Sequence, residues 1–210
     1  MPLRGSGRRP GAVRRAVRPG GPPGRVVRPG AVTALHGRCR GTGGKMETMQ
    51  PHPNVRAVQE ALDRAGAVDG AGRPAQVRLL PEAVHTAVAA AAALGVEVGQ
   101  IANSLIFEVQ GRPLLVLTSG AHRVDTGKVA ADLGVPALRR AEPDFVRAHT
   151  GQPIGGVAPL GHPAPVRTLV DVDLAGYPEV WAAGGVPRAV FATTYDELLR
   201  ITGGTGAAVA

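Results

Sequence analysis

Cysteine is almost absent from this 210-residue chain: Cys39 stands alone, which excludes an intramolecular disulfide and a cysteine-ligated metal site. Aromatic residues are scarce as well. The six present are Phe107, Phe145, Tyr177, Trp181, Phe191 and Tyr195, too few for the platform on which single-strand binders stack successive bases. The longest apolar run, Ala87 to Leu94, is far short of the roughly 20 residues that span a bilayer. The basic start is not followed by an apolar run of seven or more, so it does not read as a secretory signal. These absences predict a soluble, cytoplasmic protein. Acidic residues are missing altogether from positions 1–45, and this absence divides the chain.

Residues 1–45 carry ten Arg and Lys45, and residues 46–210 carry 13 basic and 16 acidic side chains, so the formal charge of +8 conceals a net −3 in the remainder. The first stretch is dominated by Gly, Pro and Arg. It cannot bury enough apolar surface to offset the entropy of ordering, and is expected to be disordered. One reading is an arm that scans RNA phosphates by counterion release. The favoured reading is upstream sequence translated because the start was placed too early, since Met46 and Met49 stand just before the first segment that looks folded. Residues 46–210 form the expected domain, long enough to bury a real core.

Strong side-chain chemistry is also missing. Thr42-Gly43-Gly44-Lys45 lacks the earlier glycine of a phosphate loop, and Met46 replaces its Ser or Thr. Ser104 and Ser119 lack the Gly-x-Ser-x-Gly elbow. His52, His85, His122, His149 and His162 are well separated, and no segment pairs two carboxylates for acid–base work. The sum argues against a metal site or a side-chain nucleophile.

What is present is a succession of capped elements. Asn54 suits the N-cap of a helix carrying Val55, Val58, Ala61, Leu62 and Ala65, stopped by Gly66. Gly70 to Pro74 reads as a turn and Val77 to Leu80 as a short strand. Pro81 and Glu82 suit the first turn of a helix that carries His85 and ends at Gly95. Ile101 to Gln110 and Leu114 to Thr118 read as strands around a Gly111-Arg112-Pro113 turn. Asp125 caps a helix through Leu133, and Pro143 to His149 is another. Val166–Val172, Glu179–Ala183 and Ala189–Thr193 read as strands, and Thr194 with Glu197 forms a capping box for Tyr195 to Thr202. Without regular strand–helix alternation, the class is α+β with a mixed, mostly antiparallel sheet and flanking helices.

Three segments rich in small residues stand in fixed order: Gly99-Gln-Ile-Ala-Asn-Ser-Leu-Ile-Phe107, Leu117-Thr-Ser-Gly-Ala-His-Arg-Val-Asp-Thr-Gly-Lys-Val-Ala130 and Gly155-Gly-Val-Ala-Pro-Leu-Gly-His-Pro163. Together with Arg167-Thr-Leu-Val-Asp171 and Gly184-Gly185 to Phe191, they resemble the YbaK/EbsC family of aminoacyl-tRNA deacylases, relatives of the editing domain inserted in bacterial prolyl-tRNA synthetases. The resemblance covers roughly residues 50–205. It implies a barrel-like sheet and a trans-editing hydrolase that removes a mischarged small amino acid, of alanine or cysteine type, from tRNA, with proline tRNA as the implied carrier. An inactive module of the same fold that binds tRNA or a synthetase is the alternative.

The chemistry implied is mild. An ester on a terminal ribose is already reactive and its neighbouring hydroxyl can assist, so the protein must hold the ester, place a water and donate hydrogen bonds to developing charge. By resemblance, the Gly-x-x-x-Pro loop supplies this through Gly155, Gly156, Val157 and Ala158, with Pro159 stiffening the turn. Asn103 takes the place where many relatives carry a lysine that steadies the phosphate-bearing end of the substrate. Asn103 is shorter and neutral, though it still donates and accepts hydrogen bonds. Ser119, Gly120, His122, Arg123, Lys128 and His162 are the further residues expected at the substrate. Arg123, Lys128, Arg139, Arg140 and Arg147 are candidates for a basic rim. No metal or organic cofactor is implied. The implied partners are the acceptor end of a mischarged tRNA and an aminoacyl-tRNA synthetase, with neither DNA nor membrane among them.

Overall fold

The computed structural model describes residues 52–210; the Arg-rich segment 1–45, with its expected disorder, lies outside them. Helix α1, Pro53–Ala65, buries Val55, Val58 and Leu62 and ends at Gly66. Its cap is His52, not Asn54: the His52 ring accepts from Asn54 N–H at 3.2 Å, and Pro53 takes the first turn, where no N–H is needed. Asn54 is thereby free to donate through Nδ2 to the carbonyls of Gly151, at 3.2 Å, and Gly185, at 3.3 Å.

Strand β1 (Arg78–Leu79) is followed by α2 (Ala87–Leu94), shorter than Pro81 and Glu82 led us to expect. Val84 N–H donates to Pro187 O at 2.9 Å, which holds residues 81–85 against a distant turn. The helix starts only where Thr86 Oγ1 accepts from Ala89 N–H. His85 therefore precedes the helix and is not on it. Strands β2 (Ile101–Val109) and β3 (Arg112–Ser119) meet through Gln110 and Gly111, with φ of 50° and 76°. Both left-handed residues make a two-residue hairpin turn, so Arg112 and Pro113 belong to the strand.

The remaining elements are α3 (Thr126–Leu133), β4 (Arg139–Arg140), α4 (Pro143–Thr150), β5 (Arg167–Asp171), β6 (Val180–Ala183), β7 (Ala189–Thr193), α5 (Tyr195–Thr202) and β8 (Thr205–Ala207). The short β4 and β8 carry no strand signature of their own. They are strands because a neighbour pairs with them.

The sheet is mixed and mostly antiparallel, in the order β1-β7-β6-β2-β3-β5-β8, with β4 beside β2. It is buried on both faces. Leu115 and Leu117 of β3 pack with Val58, Leu62, Phe191 and Leu198 in one layer, while Leu114 and Val116 meet Val129, Leu138 and Leu169 in the other. Alternate residues feeding two apolar layers explain why this strand reads as a continuous apolar run.

Thr194 caps α5 by accepting from Glu197 N–H, but the capping box is not closed. The Glu197 carboxylate turns instead to Val68 N–H, at 2.9 Å, and to Arg200, at 2.6 and 2.7 Å. Arg200 and the Val68 N–H hold this buried carboxyl below the usual glutamate range, against the opposing effect of burial. A lowered folded-state value means stability that is present above the ordinary glutamate value and lost as pH falls through the lowered one. Glu197→Gln is therefore expected to flatten the acid limb of a stability-against-pH curve measured by urea unfolding. An unchanged acid limb would count against this anchor.

Candidate active site

The site arises from how β2 shares its edges. Along one edge it pairs with β3 throughout. Along the other, Ile101 and Ala102 pair with β6 in parallel, and Phe107 and Glu108 pair with β4 antiparallel. Residues 103–106 face no strand on that side. Gly120 N–H donates to Ile101 O across the β3 edge, and Ala141 N–H to Ile106 O on the open one. Backbone groups alternate along an antiparallel strand, so the N–H and C=O of Ser104 open onto the gap.

Two small chambers, of about 60 Å³ and 70 Å³, flank this gap and meet at Ser104, Gly155 and Val157. The first is mostly apolar, with Ala90, Ile101, Trp181 and Val190 among its walls, and it also receives His85, Thr86 and Asn103. The second is lined by Leu105, Phe107, Val146 and Ile154 together with Arg140. The Ser104 Oγ is buried and has no hydrogen-bond partner among the described residues.

Opposite β2 runs the loop 152–160, held by its own polar groups. Gln152, only 2 % exposed, accepts Ala158 N–H on Oε1 at 2.6 Å and donates through Nε2 to Leu160 O at 3.5 Å. His162 Nε2 lies 2.9 Å from Ala158 O, and burial pushes its imidazole below the ordinary histidine range. The neutral ring donates there, bracing the loop from outside. Gly156 sits so close to the 184–188 turn that a Cβ would stand 2.5 Å from the Val186 Cα. No side chain fits at that position, which fixes the height of the loop over the gap. Gly155 has φ +83°, and a Cβ there would lie 3.5 Å from His85 Nδ1. Among the described residues neither the Gly155 nor the Val157 N–H meets an acceptor.

Of the residues expected at the substrate, the chambers bring together Asn103, Gly155 and Val157. Gly156 and Ala158 stand behind them, and Pro159 and His162 line a separate hollow next to Ile201 and Thr202. Ser119, Gly120, His122, Arg123 and Lys128 line neither chamber, and most have evident structural partners. Ser119 Oγ donates to Gly99 O at 3.0 Å, and Gly120 packs against Val98 O. His122 is clasped by Asp171, 2.9 Å from Nδ1, and Asp173, 3.1 Å from Nε2. Lys128 pairs with Asp132 at 3.6 Å and reaches Ala208 O. Of the five basic residues considered for a rim, Arg140 alone lines a chamber. His85, Ser104 and Gln152 are the residues that sequence reasoning passed over. Ser104 stood inside the motif, but His85 and Gln152 had no partner at short spacing to mark them. Among the described residues no cluster of His, Cys, Asp or Glu is placed to hold a metal ion, and no helix is long and apolar enough to cross a membrane.

A family model for the aminoacyl-tRNA editing domain matches residues 81–201, the stretch that builds both chambers and the loop between them. The chain belongs to the aminoacyl-tRNA editing domain family. A solved structure described as a candidate trans-editing enzyme for prolyl-tRNA synthetase is 47 % identical, with a TM-score of 0.69, over 75 % of this chain and 97 % of that one. The proline–tRNA ligase of Nitratidesulfovibrio vulgaris is 33 % identical over 92 residues, 44 % of this chain. The match spans only 16 % of that ligase's length, as expected for a relative of a domain inserted in a synthetase. The uncharacterized protein YwhH of Bacillus subtilis is 33 % identical over 110 residues, 52 % of this chain and 69 % of its own. The family assignment over residues 81–201 and the structural likeness give this chain the fold of an editing-domain protein.

Proposed function

We propose that this editing-domain protein is a trans-editing deacylase that hydrolyses the ester of a mischarged small amino acid, of alanine or cysteine type, on proline tRNA. The observation that carries this reading is the pair of backbone N–H groups at Gly155 and Val157, which meet no acceptor among the described residues, beside the edge of β2 left uncovered by strands. Such fixed donors stabilise the oxyanion that forms when water adds to an acyl carbon. The narrow, mostly apolar first chamber suits a short side chain, and Arg140 at the second suits the phosphate-bearing acceptor end. Asn103 offers an amide to the ester or the terminal ribose. A pocket that tells neighbours apart by one methylene gains only ~1–3 kcal/mol, which is why a second, hydrolytic sieve is useful after aminoacylation.

The test is single-turnover deacylation by the full chain, using alanyl- and cysteinyl-tRNA for proline, with correctly charged prolyl-tRNA as control. Faster release of one wrong amino acid than of proline is the expected result. A protein that binds these tRNAs or prolyl-tRNA synthetase without turnover would instead be a binding module built on the editing fold.

A further inference from the structure

The first chamber has a chemical peculiarity: of all its lining residues, only His85 brings an acid–base side chain, an imidazole. The second chamber adds Arg140, a side chain that offers hydrogen-bond donors and no acceptor. The surrounding segments contribute little more. Residues 153–157 have no titratable side chain, while Glu82 precedes His85 and Arg188 follows the 184–187 turn, and neither lines a chamber.

The backbone around His85 is fixed on both sides. Val84 N–H is tied to Pro187 O at 2.9 Å, and Thr86 Oγ1 accepts from Ala89 N–H at 3.1 Å. The ring between these anchors is exposed and makes no hydrogen bond among the described residues. This sets it apart from His122, His149 and His162, each of which is bonded within the fold. Its Nδ1 faces Gly155, the position that opens the loop with the free N–H groups. Facing it across the chamber is β2, with the unpartnered Ser104 Oγ. An imidazole held by its backbone, free at its nitrogens and next to the oxyanion donors is positioned for proton transfer.

We propose that His85 is a catalytic residue, the general base and acid of this site; the inference rests on the deacylase reading above. The water oxygen bonds to the acyl carbon as one water proton passes to the His85 ring, and the carbonyl oxygen takes up negative charge beside the Gly155 and Val157 N–H groups. The bond from the acyl carbon to the ribose oxygen then breaks, and the His85 proton goes to that oxygen. The products are the free amino acid and a tRNA with its terminal hydroxyl restored. Water is the only co-reactant.

The experiment compares the full-length wild type with His85→Ala and His85→Gln in single-turnover deacylation, with and without imidazole in the buffer. Proton transfer of this kind contributes about 10²–10⁴-fold. His85→Ala is therefore expected to lower the rate constant by ~100-fold or more while half-saturation changes little, and added imidazole is expected to restore part of the rate. His85→Gln, which keeps hydrogen bonding but cannot carry the proton, is expected to stay slow. An active wild type with His85→Ala equally fast would overturn the role of His85 alone. So would a slow His85→Ala that ignores imidazole and is rescued in His85→Gln, since a hydrogen bond would then suffice. A wild type that releases no amino acid from any of these tRNAs would overturn both the deacylase reading and the proton transfer.

Discussion

Gly155→Val is expected to abolish deacylation while leaving a folded protein. The position is exposed and opens into the first chamber. Its φ of +83° makes any side chain costly, by roughly 1–2 kcal/mol for a left-handed residue, which a domain of this size tolerates. The catalytic cost is larger, because the added branches project toward His85 and occupy the space an ester would need. A displacement of about 1 Å from productive geometry is enough for a loss of ~100-fold. Gly155→Ala separates the two causes. It carries the left-handed penalty without the added crowding of a β-branched side chain, and its single methyl would make only ordinary contact, 3.5 Å from His85 Nδ1. Single-turnover rates and unfolding midpoints for both variants check this: the midpoint should fall modestly in the alanine variant and somewhat further in the valine variant, while the rate should collapse only in the valine variant. Wild-type turnover by Gly155→Val would show that the ester does not bind here.

The largest effect on stability is expected at Asp171, in a cluster on the far side of β3 from the chambers. Its carboxylate is 1 % exposed and accepts from Ser119 N–H at 3.0 Å and Thr118 Oγ1 at 3.2 Å, with His122 Nδ1 at 2.9 Å. Its other oxygen accepts Asp173 N–H at 3.2 Å. One buried side chain thus joins the end of β3, the turn after it and the end of β5. Asp171→Ala leaves the buried Ser119 N–H and Thr118 hydroxyl without that partner, and each orphaned group costs about 1–3 kcal/mol. A loss of roughly 3 kcal/mol follows, or a fall of roughly 6–12 °C in Tm for a domain of this length. Asp171→Asn, which keeps one acceptor oxygen, is expected to lose less. Thermal and urea unfolding read both variants. An alanine variant within about 0.5 kcal/mol of wild type would mean that water replaces the carboxylate and the cluster has no structural weight.

That cluster also accounts for the place of several expected site residues away from both chambers. Ser119, Gly120, His122 and Lys128 belong to a motif of the family resemblance, and polar residues beside glycines look like substrate contacts. Their partners here are Gly99, Val98, the Asp171–Asp173 pair and Asp132, all distant in sequence except Asp132. Nothing local announces such partners. Local signals performed well where local physics decides. Asp125 and Thr194 cap helices through their side chains, and Gly66 and Gly95 close helices in the left-handed conformation. They failed at the start of α2, where the long-range bond from Val84 to Pro187 outweighed the first-turn preference of Pro81 and Glu82.

By itself the sequence determined where the helices lie apart from the start of α2, the caps at Asp125 and Thr194, the α+β class, and the motif loop with its family. These follow from side-chain period, backbone preference and motif order, which are properties of neighbouring residues. Tertiary structure alone decided where the chambers lie. They exist because β4 and β6, about forty residues apart in the chain, pair with the two ends of one β2 edge and leave residues 103–106 uncovered. The same packing carried His85 to Gly155 and drew Gln152 beneath the loop. A gap in a sheet edge is made by strands that meet only on folding, and short-range order in the chain does not encode it.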